Sequence, residues 1–350
     1  MGTNWFATRE DIRSALDAES AARSDAQLDR ALDAASRAVV GLCNRAFVPV
    51  LDTYSFDWPS DQTPRSWRLW LDQHDLIAPT QILSAGVAVP PTDYYLEPAN
   101  SGPPYTYIET RLDRPSAWSA GSTWQHAIQI TGWWGYSDDQ VPAGALAGAV
   151  NSTQTAVTVT DSSLTGVGHL LTCGAERMTV TGKSLVDTGQ TVLTPLDKKP
   201  SSQLMDVTDG TEFHQGEVLT LGAERVEVRD IAANTLIVKR AVDGTAIDTH
   251  SGTAIYAPRL LTVARAAAGT TAATASGGTA LTRWAPPGLV HTLAVAEAQN
   301  WLLNEQAGYL RTSGGSGGSS GGKEPTLTAL KDLRDQCYTE HGRKGRTRAV

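Results

Sequence analysis

Apolar positions in the first fifty residues recur at helical spacing. Ile12 and Leu16 lie one turn apart. Leu28, Leu32, Ala35 and Val39 line one face of a second segment, with Asp and Arg on the other. Thr8 with Asp11, and Ser24 with Gln27, are three-residue spacings that cap helix starts. Pro49 follows too closely for the second helix to run far. Two short amphipathic helices in succession predict a helical hairpin that packs on another element.

From Asp52 the period shortens to two. The segments Thr53 to Trp58 and Ser66 to Asp72 alternate, with Trp67, Leu69 and Leu71 on one side; Tyr105 to Leu112 and His126 to Trp134 continue the pattern. Pro90-Pro91 and Ser101-Gly102-Pro103-Pro104 mark loops between them. Eight of the ten tryptophans precede residue 140, which in a strand-rich segment points to core and interface area.

The middle of the chain repeats itself. His169-Leu-Leu-Thr-Cys-Gly-Ala-Glu-Arg-Met-Thr-Val180 matches Glu217-Val-Leu-Thr-Leu-Gly-Ala-Glu-Arg-Val-Glu-Val228, and Val159-Thr160-Asp161 matches Val207-Thr208-Asp209 at the same offset. A small β unit has been duplicated, giving two related β subdomains or two halves of one barrel. Each copy reads strand, Gly turn, strand. A strand at Thr235 to Lys239 leads to the tight turn at Asp243-Gly244, and Thr253 to Tyr256 closes the unit.

Pro286 and Pro287 open a long helix, with Leu289, Leu293, Ala296, Asn300 and Leu303 on one face and Gly308 as its C-cap. Residues 313–322 are all Gly and Ser, a linker whose coil reach is about 16–19 Å. Beyond it, Leu327, Leu330 and Leu333 predict a short amphipathic helix ending near Gly342. Arg343, Lys344, Arg346 and Arg348 make the end of the chain basic.

Composition narrows the chemistry. Three scattered cysteines, Cys43, Cys173 and Cys337, with no CxxC spacing, argue against a disulfide framework or a cysteine zinc site. No metal is expected, and no cofactor. No P-loop, no GxGxxG after a strand and no HExxH is present, so no catalytic residue is nominated and the chain is not expected to be an enzyme. Asp138-Asp139 reads as a solvated turn, and Cys173, replaced by Leu221 in the second copy, as a packing position. A formal charge of −8 disfavours tight non-specific nucleic-acid binding. No apolar run reaches the length of a membrane span or a signal peptide, so no membrane is expected and synthesis is expected in the cytoplasm.

Three features together resemble the head-to-tail connector adaptors of long-tailed bacteriophages. The first is Leu42-Cys43-Asn44-Arg45-Ala46-Phe47, like the Arg-x-Phe element that closes the second helix of that family. The second is Ile128-Gln-Ile-Thr-Gly-Trp-Trp-Gly-Tyr136, similar to its final strand and the aromatic turn after it. The third is the Pro-led helix from Pro286 to Leu303. In the family that helix follows the turn closely, so residues 143–284 are taken as an insertion.

The expected architecture is α+β. A discontinuous connector domain, 1–142 plus 285–312, is interrupted by a β-rich insertion, 143–284, with its repeat at about 159–180 and 207–228. A linker (313–322) and an amphipathic docking tail (323–350) follow. The resemblance implies a virion neck protein forming a ring, twelve copies in the family, beneath the portal protein. Double-stranded DNA would pass through the lumen without sequence-specific contact, and the tail-side stopper would bind the other face. The residues expected to dock on the portal are Leu327, Leu330, Leu333, Arg343, Lys344, Arg346 and Arg348. The alternative is a virion-surface adhesion or decoration protein built on the duplicated β segment.

Overall fold

The computed structural model describes residues 5–16, 23–59, 65–306 and 327–343. The protein is mixed α+β, mostly sheet, with four α-helices among the described residues, the last near the C-terminus. No described helix is long and apolar enough to cross a membrane. The chain divides into two compact units. One holds 1–39, 140–267 and 271–337; the other holds 40–139, 268–270 and 338–350. Helix α1 (Arg9–Leu16) starts at a capping box in which Thr8 and Asp11 bond reciprocally, and α2 (Asp25–Cys43) at one between Ser24 and Gln27.

The second unit contains β1 (Val50–Phe56), β2 (Arg68–Trp70), β3 (Leu76–Ser84), β4 (Val87–Ala88), β5 (Tyr94–Glu97), β6 (Tyr107–Thr110) and β7 (Ile128–Trp134). They form antiparallel sheets of order β1-β7-β3-β4 and β2-β6-β5 around Leu71, Leu76, Ile108, Ile128, Ile130 and Trp134. Strand β3 escapes the alternation pattern because Pro79 interrupts it. The ladder with β7 shifts register between Pro79 and Gln81, an irregularity of the kind that tolerates a proline in a sheet.

The first unit carries a ten-stranded sheet. Its strands are β8 (Gln140–Ala145), β9 (Ala156–Thr158), β10 (Leu170–Cys173), β11 (Glu176–Thr191), β12 (Leu204–Asp206), β13 (Val218–Leu221), β14 (Glu224–Ala232), β15 (Thr235–Lys239), β16 (Ala254–Ala264) and β17 (Ala280–Trp284). The two copies are nested. The second lies between β11 and β16, two long strands that serve both. Met178 and Val180 of β11 and Leu261 and Val263 of β16 fill the first copy's core; Val192, just past β11, and Ile255 and Ala257 fill the second's.

Helices α3 (Gly288–Gln306) and α4 (Leu327–His341) complete the chain. Helix α1 and α2 up to Val39 group with the β-rich segment. The reason is local: Arg9 N–H donates to the Val167 carbonyl at 3.1 Å, and Glu10 accepts from Val167 N–H at 2.8 Å. The buried face of α3 is also rotated from the expected stripe. Val290, Leu293, Ala294, Ala298 and Leu302 are buried, while Leu303 is exposed. Apolar and polar residues are spread around this helix without a single stripe, so spacing alone does not define its inner face.

One motif locks each copy. In the second, Glu224 is fully buried and accepts from Arg240 Nε and Nη2, both at 2.7 Å, and from the backbone N–H groups of Ala241 and Asp248. Arg240 in turn donates to the carbonyls of Asp197, Ser202 and Asp248. In the first, Glu176 and Arg265 repeat this arrangement, with Ala266 and Ala273 N–H on the carboxylate and the carbonyls of Asn151, Gln154 and Ala273 on the guanidinium. Left-handed alanines follow both arginines, Ala241 (φ 53°) and Ala266 (φ 52°).

Burial pushes the Glu224 carboxyl up, but the bonds from Arg240, Asp248 N–H and His250 outweigh it and hold the pKa at about 2, below its ordinary 4.5. A depressed acid stabilises the fold above its unfolded pKa, and that contribution is lost as pH falls through the folded value. Denaturant unfolding from pH 7 to 2 should therefore show stability falling between about 4.5 and 2. Glu224→Gln should lower stability at pH 7 by about 3–5 kcal/mol and flatten that acid limb. A variant as stable as the parent at neutral pH would show that the clamp is dispensable.

Candidate functional site

Elements far apart in sequence converge in the second unit. Arg45 and Phe47 follow α2, and Tyr136 follows β7. The Phe47 and Tyr136 rings lie 5.4 Å apart, and the Arg45 guanidinium lies 5.1 Å from the Tyr136 ring. Gly135 makes this approach possible: at φ +141°, a Cβ there would come within 2.7 Å of the Val48 carbonyl. The end of the chain closes the cluster. His341 stands edge-on to both rings and lies 3.1 Å from the Tyr136 hydroxyl. Arg343 donates its backbone N–H to the Cys43 carbonyl and its guanidinium to the Asp72 carbonyl.

Asp75 sits beneath this group with its side chain only 2% exposed, 2.8 Å from Arg343 and 3.4 Å from Arg45. Burial pushes its carboxyl above the usual range, while Arg45 and Arg343 pull the other way. Burial also pushes the His341 imidazole down, favouring its neutral form.

In the first unit, α1 meets α3. His291 Nε2 lies 3.3 Å from Asp11, whose part-exposed carboxyl is held well below its ordinary range by bonds from His291 and Thr8 against the opposing push of desolvation. Phe6 packs edge-on against Trp284 and donates its N–H to Ser36 Oγ of α2. Helix α3 also carries Glu297, 3% exposed among apolar neighbours, which pairs through both oxygens with Arg334 of α4, one contact being 2.8 Å.

The expected docking residues thus have different surroundings. Leu330 and Leu333 are half-buried on α4, and Arg343 is committed to Asp75. Leu327 opens α4. Lys344, Arg346 and Arg348 lie outside the described residues. Sequence reasoning nominated neither Asp75 nor Glu297. For Glu297 the available signal was a lone carboxylate inside an apolar run, Ala294-Val-Ala-Glu297-Ala298; Asp75 follows Asp72-Gln-His74 and reads as part of a polar turn.

Other chemistry-bearing groups are engaged. Asp161, His214 and Glu217 could bring ligand atoms within 4.8 Å of one another, but Glu217 already accepts from Arg259 at 2.8 Å twice and from Ser162 Oγ at 2.7 Å. A cation there would face a guanidinium. Cys173 is buried in β10, its thiol pushed up by burial and by Glu176. A polar cleft of about 750 Å³ is lined by Lys183 and Arg225 among others. Lys183 donates to the Ser162 and Thr165 carbonyls, and Arg225 pairs with Asp243.

Arg343→Ala should leave Asp75 with Arg45 alone and destabilise the second unit by about 3 kcal/mol. Adding Asp75→Asn should recover much of the loss. Thermal unfolding followed by tryptophan fluorescence reads both, and an unshifted transition in the single variant would reject a structural role for Arg343. Comparison with known protein families, characterised proteins and solved structures finds no match for this chain.

Proposed function

We propose that this chain is a ring-forming, non-enzymatic structural subunit of the head-to-tail connector of a long-tailed bacteriophage, sited in the neck between capsid and tail. One observation carries the reading. The Arg45-x-Phe47 element and the aromatic end of β7, the two motifs nearest to that family, pack ring against ring. The contact between α1 and α3 supports it as well, because it joins the N-terminal helices to the Pro-led helix across the whole β-rich segment.

The remaining chemistry agrees with a passive scaffold. Glu176, Glu217, Glu224, Glu297 and Asp75 are each held by an arginine, so their charges serve the fold. A ring needs about 800 Å² of contact per partner. Exposed apolar side chains are available in each unit: Trp301 and Leu204 in the first, Leu112, Val87 and Trp124 in the second. A net acidic chain suits a passage through which DNA must slide, since phosphate binding would hold it. The portal protein and the tail-side stopper are the implied partners.

A second reading draws on the nested β copy, which has its own core and its own clamp. Such a self-contained module could serve as a virion-surface decoration or adhesion domain. Electron microscopy of the purified protein, alone and mixed with the portal of the same phage, separates the two. Rings, free or seated on the portal, are expected. A protein that stays monomeric, ignores the portal and binds host glycans would overturn the connector assignment.

A further inference from the structure

Two buried carboxylates in this chain depend on one C-terminal arm. Glu297 on α3 is neutralised by Arg334, and Asp75 in the second unit by Arg343 as well as Arg45. With the arm withdrawn, Glu297 loses both contacts from Arg334, and Asp75 keeps only the longer of its two ion pairs. Arg334 is itself exposed, but a buried carboxylate left without its cation is unfavourable, so these positions favour an arm that stays docked. Nothing in that requirement specifies whose arm it is.

The connection is far longer than the contact needs. At 1.5 Å per residue, Glu297 lies about 14 Å from the end of α3 and Arg334 about 10 Å into α4. With axes 8–10 Å apart, the helix ends to be joined are at most about 26 Å apart. Residues 307–326 could span up to about 66–72 Å by covalent geometry alone. Helix–helix connections of about 2–8 residues are usual, and the chain carries many more.

We infer that α4 and the residues up to Arg343 form an exchangeable arm, which in the assembled ring docks on Glu297 and Asp75 of the adjacent copy. This rests on the reading of the chain as a ring subunit. Exchange is nearly neutral in contact energy, because every bond made within a chain is remade between chains. A ring allows it to close: each copy gives its arm to one neighbour and receives one from the other, and no site is left empty. The linked arms would then hold subunits together beyond what their side-to-side surfaces supply.

Charge reversal tests this in the full-length protein. Glu297→Arg and Arg334→Glu each set like charges against one another, whereas the double variant restores an opposite pair. Hydrogen exchange of the α4 amides is the readout. Each single variant should lose α4 protection by at least about tenfold, and the double variant should regain it. Mixing the two single variants in equal amounts is the decisive arm. Exchange between chains recreates both complementary pairs, so protection should return, with native mass spectrometry showing assemblies that contain both variants.

Protection that returns in the double variant but not in the mixture would overturn the exchange. So would single variants whose α4 stays protected. Wild-type rings seen by electron microscopy alongside either result would leave the connector reading standing, whereas a chain that forms no ring, with or without portal, would remove that reading itself.

Discussion

A carboxylate taken out of water costs several kcal/mol unless a cation and well-placed donors meet it. This chain accepts that cost repeatedly, at Glu176, Glu224, Glu217, Glu297 and Asp75, and answers it each time with an arginine. Hydrophobic side chains of similar volume could match the net stability of such pairs. A turn closed in the wrong register would leave a buried charge without its partner. In each β copy the arginine also gathers three carbonyls from the surrounding loops, so one side chain fixes several connections at once.

The same rule links fold to proposed function. In the β copies the partners lie in the connections each unit closes on itself, so these modules are self-contained. At Glu297 and Asp75 the partner comes from the C-terminal arm. An interaction that is internal bracing in one place becomes, in the other, a means by which one segment is held against the body. The aromatic group around Tyr136 works with it: Phe47, His341 and Arg45 surround the ring, and Gly135 removes the side chain that would keep them apart.

Much was legible because it is local. The two capping boxes need only residues three apart, and both formed as their sequences required. Period-two alternation located β1, β2, β6 and β7, although β3 with its proline was passed over. The duplication was visible at Gly174-Ala-Glu-Arg177 and Gly222-Ala-Glu-Arg225. Its second half was not recognised, because Arg240-Ala241 and Arg265-Ala266 stand at a different offset. The nesting of one copy inside the other changes that spacing.

By itself the sequence determined the helix starts, most strand segments, the α+β class and the existence of two related β units. These follow from periodicity and from contacts a few residues long. Only the tertiary structure decided that one copy interrupts the other, which face of α3 turns inward, and that Glu224 belongs to Arg240, Glu297 to Arg334 and Asp75 to Arg343. A charged residue reads as surface in any local window. Whether it is buried, and beside which opposite charge, depends on where the chain returns from a distance, and on the penalty for returning without its partner.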